Sequence, residues 1–184
     1  VQAWIKPEIP NQIGTILQKS EGNNPTGYGI YLFNGRVAVK TNAVTRLISK
    51  TVLPVNEWTH VSATYNTSTN NFLIAINATS DTSKVFIGSA PIGNTDSLFI
   101  GTGWDNSFQG QLDEIRIWNT ALGSGFISKY MRSSIGTNSG IYSGLVLSLT
   151  FQERHSDGAK FTTADQTGNG NNFINKGASP VDLS

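Results

Sequence analysis

The acidic side chains have the widest chemical reach in this sequence, and glycoside cleavage is the first chemistry to test them against. It needs two carboxylates roughly 5 to 10 Å apart across one cleft. Asp113 and Glu114 sit together in the apolar run Leu112–Trp118. A regular strand sends neighbouring side chains to opposite faces, so this pair is not arranged for hydrolysis. His60 and His155 are far apart and neither lies in a metal-binding or nucleophile motif. His60, inside a strand-like stretch, reads as a hydrogen-bonded structural residue. The serines lack a nucleophile elbow, and Gly101-Thr-Gly103 lacks the spacing that cradles phosphate. With no cysteine, thiolate metal sites and disulfides are excluded. The residues therefore indicate a binding protein and not an enzyme.

Two other groups fit binding chemistry. Asp113, Asp165, Asn169 and Asn171 offer hard oxygen donors, and Gly168 and Gly170 let backbone carbonyls turn inward, which suits calcium; an Asx-rich turn beside a strand-end Asp is the competing explanation. Sugar binding asks for an exposed aromatic face beside amides and carboxylates. Trp104, Asp105 and Asn106 supply that on a Gly/Ser-flanked loop. Trp4, Trp58 and Trp118 lie in apolar segments and are expected in the core. Tyr31 and Phe33, opposite Ile30 and Leu32, either line a concave groove or pack under a second sheet, and packing is the expectation.

What must hold these residues is a β-structure. The chain has 184 residues, enough for one well-cored unit spanning 1–184. Thirteen basic against 12 acidic residues, scattered along the chain, leave no footprint for nucleic acid. No apolar run reaches about 18 residues, so membrane insertion is not expected. The start at Val1 reads as internal, and a surface rich in Asn, Ser, Thr and Gly leans towards an extracellular, secreted or cell-surface setting. Asn66-Thr-Ser and Asn77-Ala-Thr are glycosylation triplets of the kind that chance produces in such a composition.

Short β-branched and aromatic segments recur at 1–6, 13–19, 28–33, 36–40, 46–52, 58–66, 71–77, 84–88, 97–101, 108–118 and 145–151. Asn34-Gly35 between two of them is a hairpin turn, and Thr67–Asn70 is a second. In Trp58–Tyr65, Val61, Ala63 and Tyr65 share one face, which packs; His60, Ser62 and Thr64 share the other, which is wetter. One helix is expected over 123–132, capped by Ser124, with Phe126, Ile127, Tyr130 and Met131 on one stripe. The main body is then 1–122, and 145–184 is a tail beyond a loop.

Four segments carry a family resemblance in the expected order: Ala3-Trp-Ile-Lys-Pro7, Phe33-Asn-Gly-Arg36, Pro54–Tyr65 and Phe108–Leu122. Together they resemble the laminin G-like, concanavalin A-like lectin jelly roll. The resemblance implies an all-β antiparallel sandwich of about a dozen strands and one short helix. It also implies binding or adhesion, with a carbohydrate or cell-surface glycoprotein as partner. Leu145–Phe151 with Asp165–Asn172 looks like the segment that normally opens such a domain, displaced here to the end. The tail is expected to close in cis beside strand 1–6; membership of a neighbouring repeat and exchange in trans, as in a self-associating fibre, are the alternatives. The family's structural calcium would map to Asp113 and to Asp165–Asn171, and related glucanases make a hydrolase the remote third possibility.

Overall fold

The computed structural model describes residues 1–21, 24–133, 135, 142–151, 155–156 and 161–174. Its strands are β1 (Gln2–Pro7), β2 (Gly14–Lys19), β3 (Tyr28–Phe33), β4 (Arg36–Thr41), β5 (Val44–Val52), β6 (Thr59–Asn66), β7 (Asn71–Ile76), β8 (Thr79–Val85), β9 (Leu98–Ile100), β10 (Gly110–Trp118), β11 (Leu145–Leu149), β12 (His155–Ser156), β13 (Phe161–Thr163) and β14 (Phe173–Ile174). Among the described residues a single α-helix, α1 (Ser124–Tyr130), follows β10. Six strands form one sheet in the order β11-β10-β1-β6-β7-β8, and five form the other, β5-β4-β3-β2-β9. The three short tail strands form a small separate sheet. The architecture is the antiparallel jelly-roll sandwich that the sequence predicts.

Alternation makes the core. Ala3 and Ile5 of β1, Ile30 and Leu32 of β3, Val37 and Val39 of β4, Val61 and Ala63 of β6 and Ile115 and Ile117 of β10 point between the sheets and are buried. Asn34 and Gly35 both adopt positive φ (49° and 71°), as a two-residue hairpin requires. The strand expected over 71–77 ends at Ile76. The chain turns at Asn77 and Ala78 (φ 48° and 62°), and a polar strand, β8, returns along β7.

Within the chain, the described part of the tail does not lie beside β1. That strand is already flanked by β6 and β10 and has no free edge; β11 pairs with β10 instead, setting Leu149 opposite Ile115 and Ser148 opposite Arg116. Leu145, Leu147 and Leu149 enter the core. The helix cap falls one residue earlier than expected: Gly123 is the N-cap, without a side-chain bond, and Ile127 alone of the predicted stripe is buried.

The outer face of the six-stranded sheet is also covered. Trp4 Nε1 donates to the Met131 carbonyl at 2.7 Å, and Arg116 donates to the carbonyls of Tyr130 at 2.7 Å and Ser133 at 3.0 Å. His60 and Ser62, expected on a wetter face, are therefore buried along with Gln2 and Arg116. Trp118 is buried as expected, whereas Trp4 and Trp58 are half-buried at the surface of the sheet.

Candidate ligand-binding face

The five-stranded sheet turns Gly29, Tyr31 and Phe33 of β3 outward, and Arg36, Ala38 and Lys40 of β4 lie opposite them in register. Tyr31 is buried and Ala38 fully so, while Phe33 is 38% exposed. Tyr31 is thus covered, but by the Lys40 side chain over its ring and not by a second sheet; Phe33 is not covered.

The loop 101–107 lies over one end of this face, and β2 fastens it. Gln18 accepts the Trp104 backbone N–H, and Thr15 donates its N–H to the Asn106 carbonyl at 2.8 Å. The Trp104 ring rests on Gly29, where an added Cβ would stand 3.3 Å from the indole; any side chain there would press on the ring. Lys40 Nζ donates to Asp105 Oδ2 at 2.6 Å and lies 4.4 Å from the Tyr31 ring centre and 5.7 Å from that of Trp104. Trp104 and Asp105 stay half-buried, and Asn106 is exposed. The three residues predicted from the loop lie together beside Tyr31, a groove candidate from the sequence, and Lys40, which sequence reasoning does not assign. Lys40 shares a strand face with Ala38 and Arg36, and that period-2 spacing is the available signal.

The oxygen-donor group behaves differently. Asp165, Asn169 and Asn171 meet on one loop, but they face the free edge of β11. Asp165 accepts the Ser148 N–H at 3.1 Å, the Thr167 N–H at 3.1 Å, the Thr167 hydroxyl at 2.7 Å and the Asn171 N–H at 3.3 Å. Burial opposes its charge, yet these bonds outweigh that and hold its carboxyl below the ordinary range. The amides of Asn169 and Asn171 each donate to the Val146 carbonyl at 3.1 Å. Asp113 lies on β10 opposite Trp4, two β1 positions from the Arg116 pair, and spends Oδ1 on the Glu114 N–H at 2.7 Å. Burial pushes its carboxyl above the usual range.

These bonds give the group a structural task at the edge of its sheet. Asp165, Asn169 and Asn171 close an edge strand that would otherwise expose unpaired backbone groups, and Asp113 serves a bulge in the neighbouring strand. EDTA tests calcium at this group: a bound ion would be read as a drop in the thermal midpoint on chelation, and an unchanged midpoint would leave the edge-closing bonds as its task.

The carboxylate pair also departs from regular strand geometry. Glu114 has φ 49°, a bulge that breaks the alternation between Leu112 and Ile115, and its side chain pairs with Arg116 at 2.5 Å. Asp113 and Glu114 therefore do not point to opposite faces in the simple way expected. They remain on the sheet away from Trp104. His60 Nε2 is 2.8 Å from Gln2 Oε1, a structural contact as expected; the side chain of His155 lies outside the described residues.

A cavity of about 520 Å³ opens at one end of the sandwich, lined by Tyr28, Tyr65, Phe72 and Trp118 among others. Its walls are the ends of core strands, and none of the charged residues of the sheet face lines it. The sheet face, where an aromatic ring, an ion pair and the exposed Asn106 lie together, is the better candidate site.

Known proteins share this architecture. A laminin G-type family model, described as the concanavalin A-like lectin/glucanases superfamily, matches residues 1–128, and the chain belongs to that superfamily. No curated protein sequence matches it. Among solved structures, a candidate carbohydrate-binding protein from Bacteroides ovatus superposes with TM-score 0.74 at 20% identity, over 95% of this chain and 51% of that one. The chain thus spans about half the length of that relative. The CBM40 of Ruminococcus gnavus IT-sialidase bound to α2,3-sialyllactose gives TM-score 0.55 at 14% identity over 70% of this chain and 79% of that one. Domain 4 of the arabinanase AbnA from Geobacillus stearothermophilus, in complex with arabinotriose, gives 0.55 at 21% identity over 70% and 63%. At these identities the likeness is one of fold.

Proposed function

We propose that this chain is a non-catalytic, extracellular glycan-binding module that holds its ligand on the outer face of the five-stranded sheet. The observation that carries the reading is the Trp104 ring, seated on Gly29 and flanked by the Lys40–Asp105 pair. Four residues along β3, about 13 Å away at strand spacing, Phe33 offers a second exposed ring. Two apolar rings with polar groups between them match the alternating C–H faces and hydroxyls of an oligosaccharide. Structural neighbours that hold sialyllactose and arabinotriose support a sugar as ligand without choosing among sugars. A cell-surface glycoprotein carrying such a glycan would be the corresponding adhesive partner.

The test is titration of the purified chain against a panel of oligosaccharides, followed by Trp104→Ala. Loss of this ring is expected to weaken binding at least about tenfold while leaving the unfolding midpoint near that of the parent. Unchanged affinity in the variant, or a panel with no ligand at all, would remove the reading. Release of reducing ends from any member of the panel would overturn the non-catalytic part.

A further inference from the structure

The same face carries an unbalanced charge. Lys40 and Arg36 stand on the same side of β4 with Ala38 between them. Lys40 is neutralised by Asp105 at 2.6 Å. Arg36 is not: among the described residues no carboxylate pairs with it, and its one bond is a long 3.4 Å donation to the Ser49 carbonyl. Its neighbours across the strands are Phe33 on one side and Val52 on the other, 38% and 46% exposed. A guanidinium without a counter-ion, held beside an exposed ring, has donors left for a planar anion in bidentate geometry.

Resting on the glycan reading above, we propose that the ligand of this face is an acidic glycan, with one sugar ring on Phe33 and its carboxylate or sulfate on the Arg36 guanidinium. Trp104 then holds a neutral part of the chain, because the Lys40 and Asp105 charges beside it are already paired with each other. The face divides into a neutral end and an anion-accepting end, separated by the small, fully buried Ala38. Selectivity follows from this division. A neutral oligosaccharide can use Trp104 and still leave Arg36 solvated, so it binds more weakly without being rejected. An acidic one gains the charge-assisted bonds as well, and that gain is screened by salt.

The experiment is calorimetric titration of the full chain with three probes of matched length: a neutral galacto-oligosaccharide, an oligogalacturonate and a sulfated galacto-oligosaccharide, each at low and high salt. At least one acidic probe is expected to bind about tenfold or more tightly than the neutral one at low salt, with the advantage shrinking at high salt. Whichever acidic probe is tighter identifies carboxylate or sulfate as the anion. Arg36→Gln is expected to bring the acidic probe down to the neutral level without altering neutral binding, and Arg36→Lys to keep part of the advantage. Unchanged thermal midpoints would show that both variants fold. Equal binding of all three probes, or an acidic advantage that survives Arg36→Gln, overturns this inference. Glycan binding itself then still stands, provided that Trp104→Ala weakens the neutral probe. No binding by any probe overturns this inference and leaves glycan binding to the wider oligosaccharide panel.

Discussion

Cutting Leu147 back to alanine is expected to destabilise the chain by about 3 kcal/mol, read as a lower urea midpoint. Leu147 is 3% exposed and belongs to the main core, though it comes from a segment that follows the rest of the sandwich in sequence. Val146, its neighbour on the same strand, is 36% exposed, and Val146→Ala should stay within about 0.5 kcal/mol. The contrast between the two variants tests whether β11 docks with this face inward. The midpoint of the parent should also be independent of protein concentration, because β10 and β11 pair within one chain. A midpoint that rose with concentration would mean that the strand is supplied by another copy, which is the arrangement a fibre requires. Equal and small effects of the two substitutions would mean that β11 does not close the sandwich at all.

The two sheet edges near the chain's polar segments point the same way. Asn169, Asn171 and Asp165 occupy backbone groups of β11. On the other side Asp81 of β8 accepts the N–H groups of Lys50 at 2.6 Å and Thr51 at 3.0 Å, so a carboxylate from one sheet covers the edge strand of the other. Burial opposes the Asp81 charge, and the bonds from Thr51 and Lys50 together overcome it and hold its carboxyl below the usual range. Edges covered by side chains in this way are poor templates for added strands.

Much of this is legible in the residues. Alternation places Val61 and Ala63 inward, Asn34-Gly35 declares its hairpin, and the four motif segments locate the sandwich. What stays hidden has specific causes. The turns at Asn42-Ala43 and Asn77-Ala78 place alanine at φ 60° and 62°, where a side chain is normally disfavoured, so neither pair carries the strong signal of Asn-Gly. β8 reads Thr-Ser-Asp-Thr-Ser-Lys-Val and lacks an apolar period because an edge strand exposes most of itself. The bulge at Glu114 defeats the rule that adjacent strand residues face apart.

The site is half visible for a related reason. Trp104, Asp105 and Asn106 are neighbours in sequence, and a tryptophan among loop residues stands out. Tyr31, Lys40 and Gly29 come to them through strand pairing, which single-sequence patterns do not specify. Asp165, Asn169 and Asn171 form the cluster of oxygen donors that their spacing suggests. Their task cannot be read from the sequence, because the strand they cover becomes an edge only once β11 has paired with β10.

Mild acid is expected to weaken the fold through His60. Alternation along β6 assigns this residue to a wetter face, but the turn after α1 buries it to 2% exposure between Gln2 and Trp4, whose ring centre is 5.4 Å away. Burial, and then the positive charges of Arg116 and Arg132, lower its pKa from 6.5 to about 4. The unfolded chain therefore takes up this proton more readily than the folded one. The resulting stability is fully present above pH 6.5, falls as pH drops towards 4, and changes no further below that. The shift corresponds to a loss of up to about 3 kcal/mol across the window. Asp81 and Asp165, with lowered carboxyl pKa values, contribute losses that begin only as pH falls through the carboxylate range, so the His60 window lies mostly above theirs. Denaturation series at several pH values on the parent and on His60→Gln separate these contributions. The parent is expected to lose more stability than the variant as pH falls from 6.5 towards 4; the variant, less stable at neutral pH, keeps the part of the loss that belongs to the Val1 amine, which burial lowers from 8.0 to about 5. With only two histidines in the chain, the ring can also be titrated directly by NMR. A ring that protonates near its ordinary value, or a variant whose pH profile runs parallel to that of the parent, would mean that His60 is not held neutral by the covered face of the sheet.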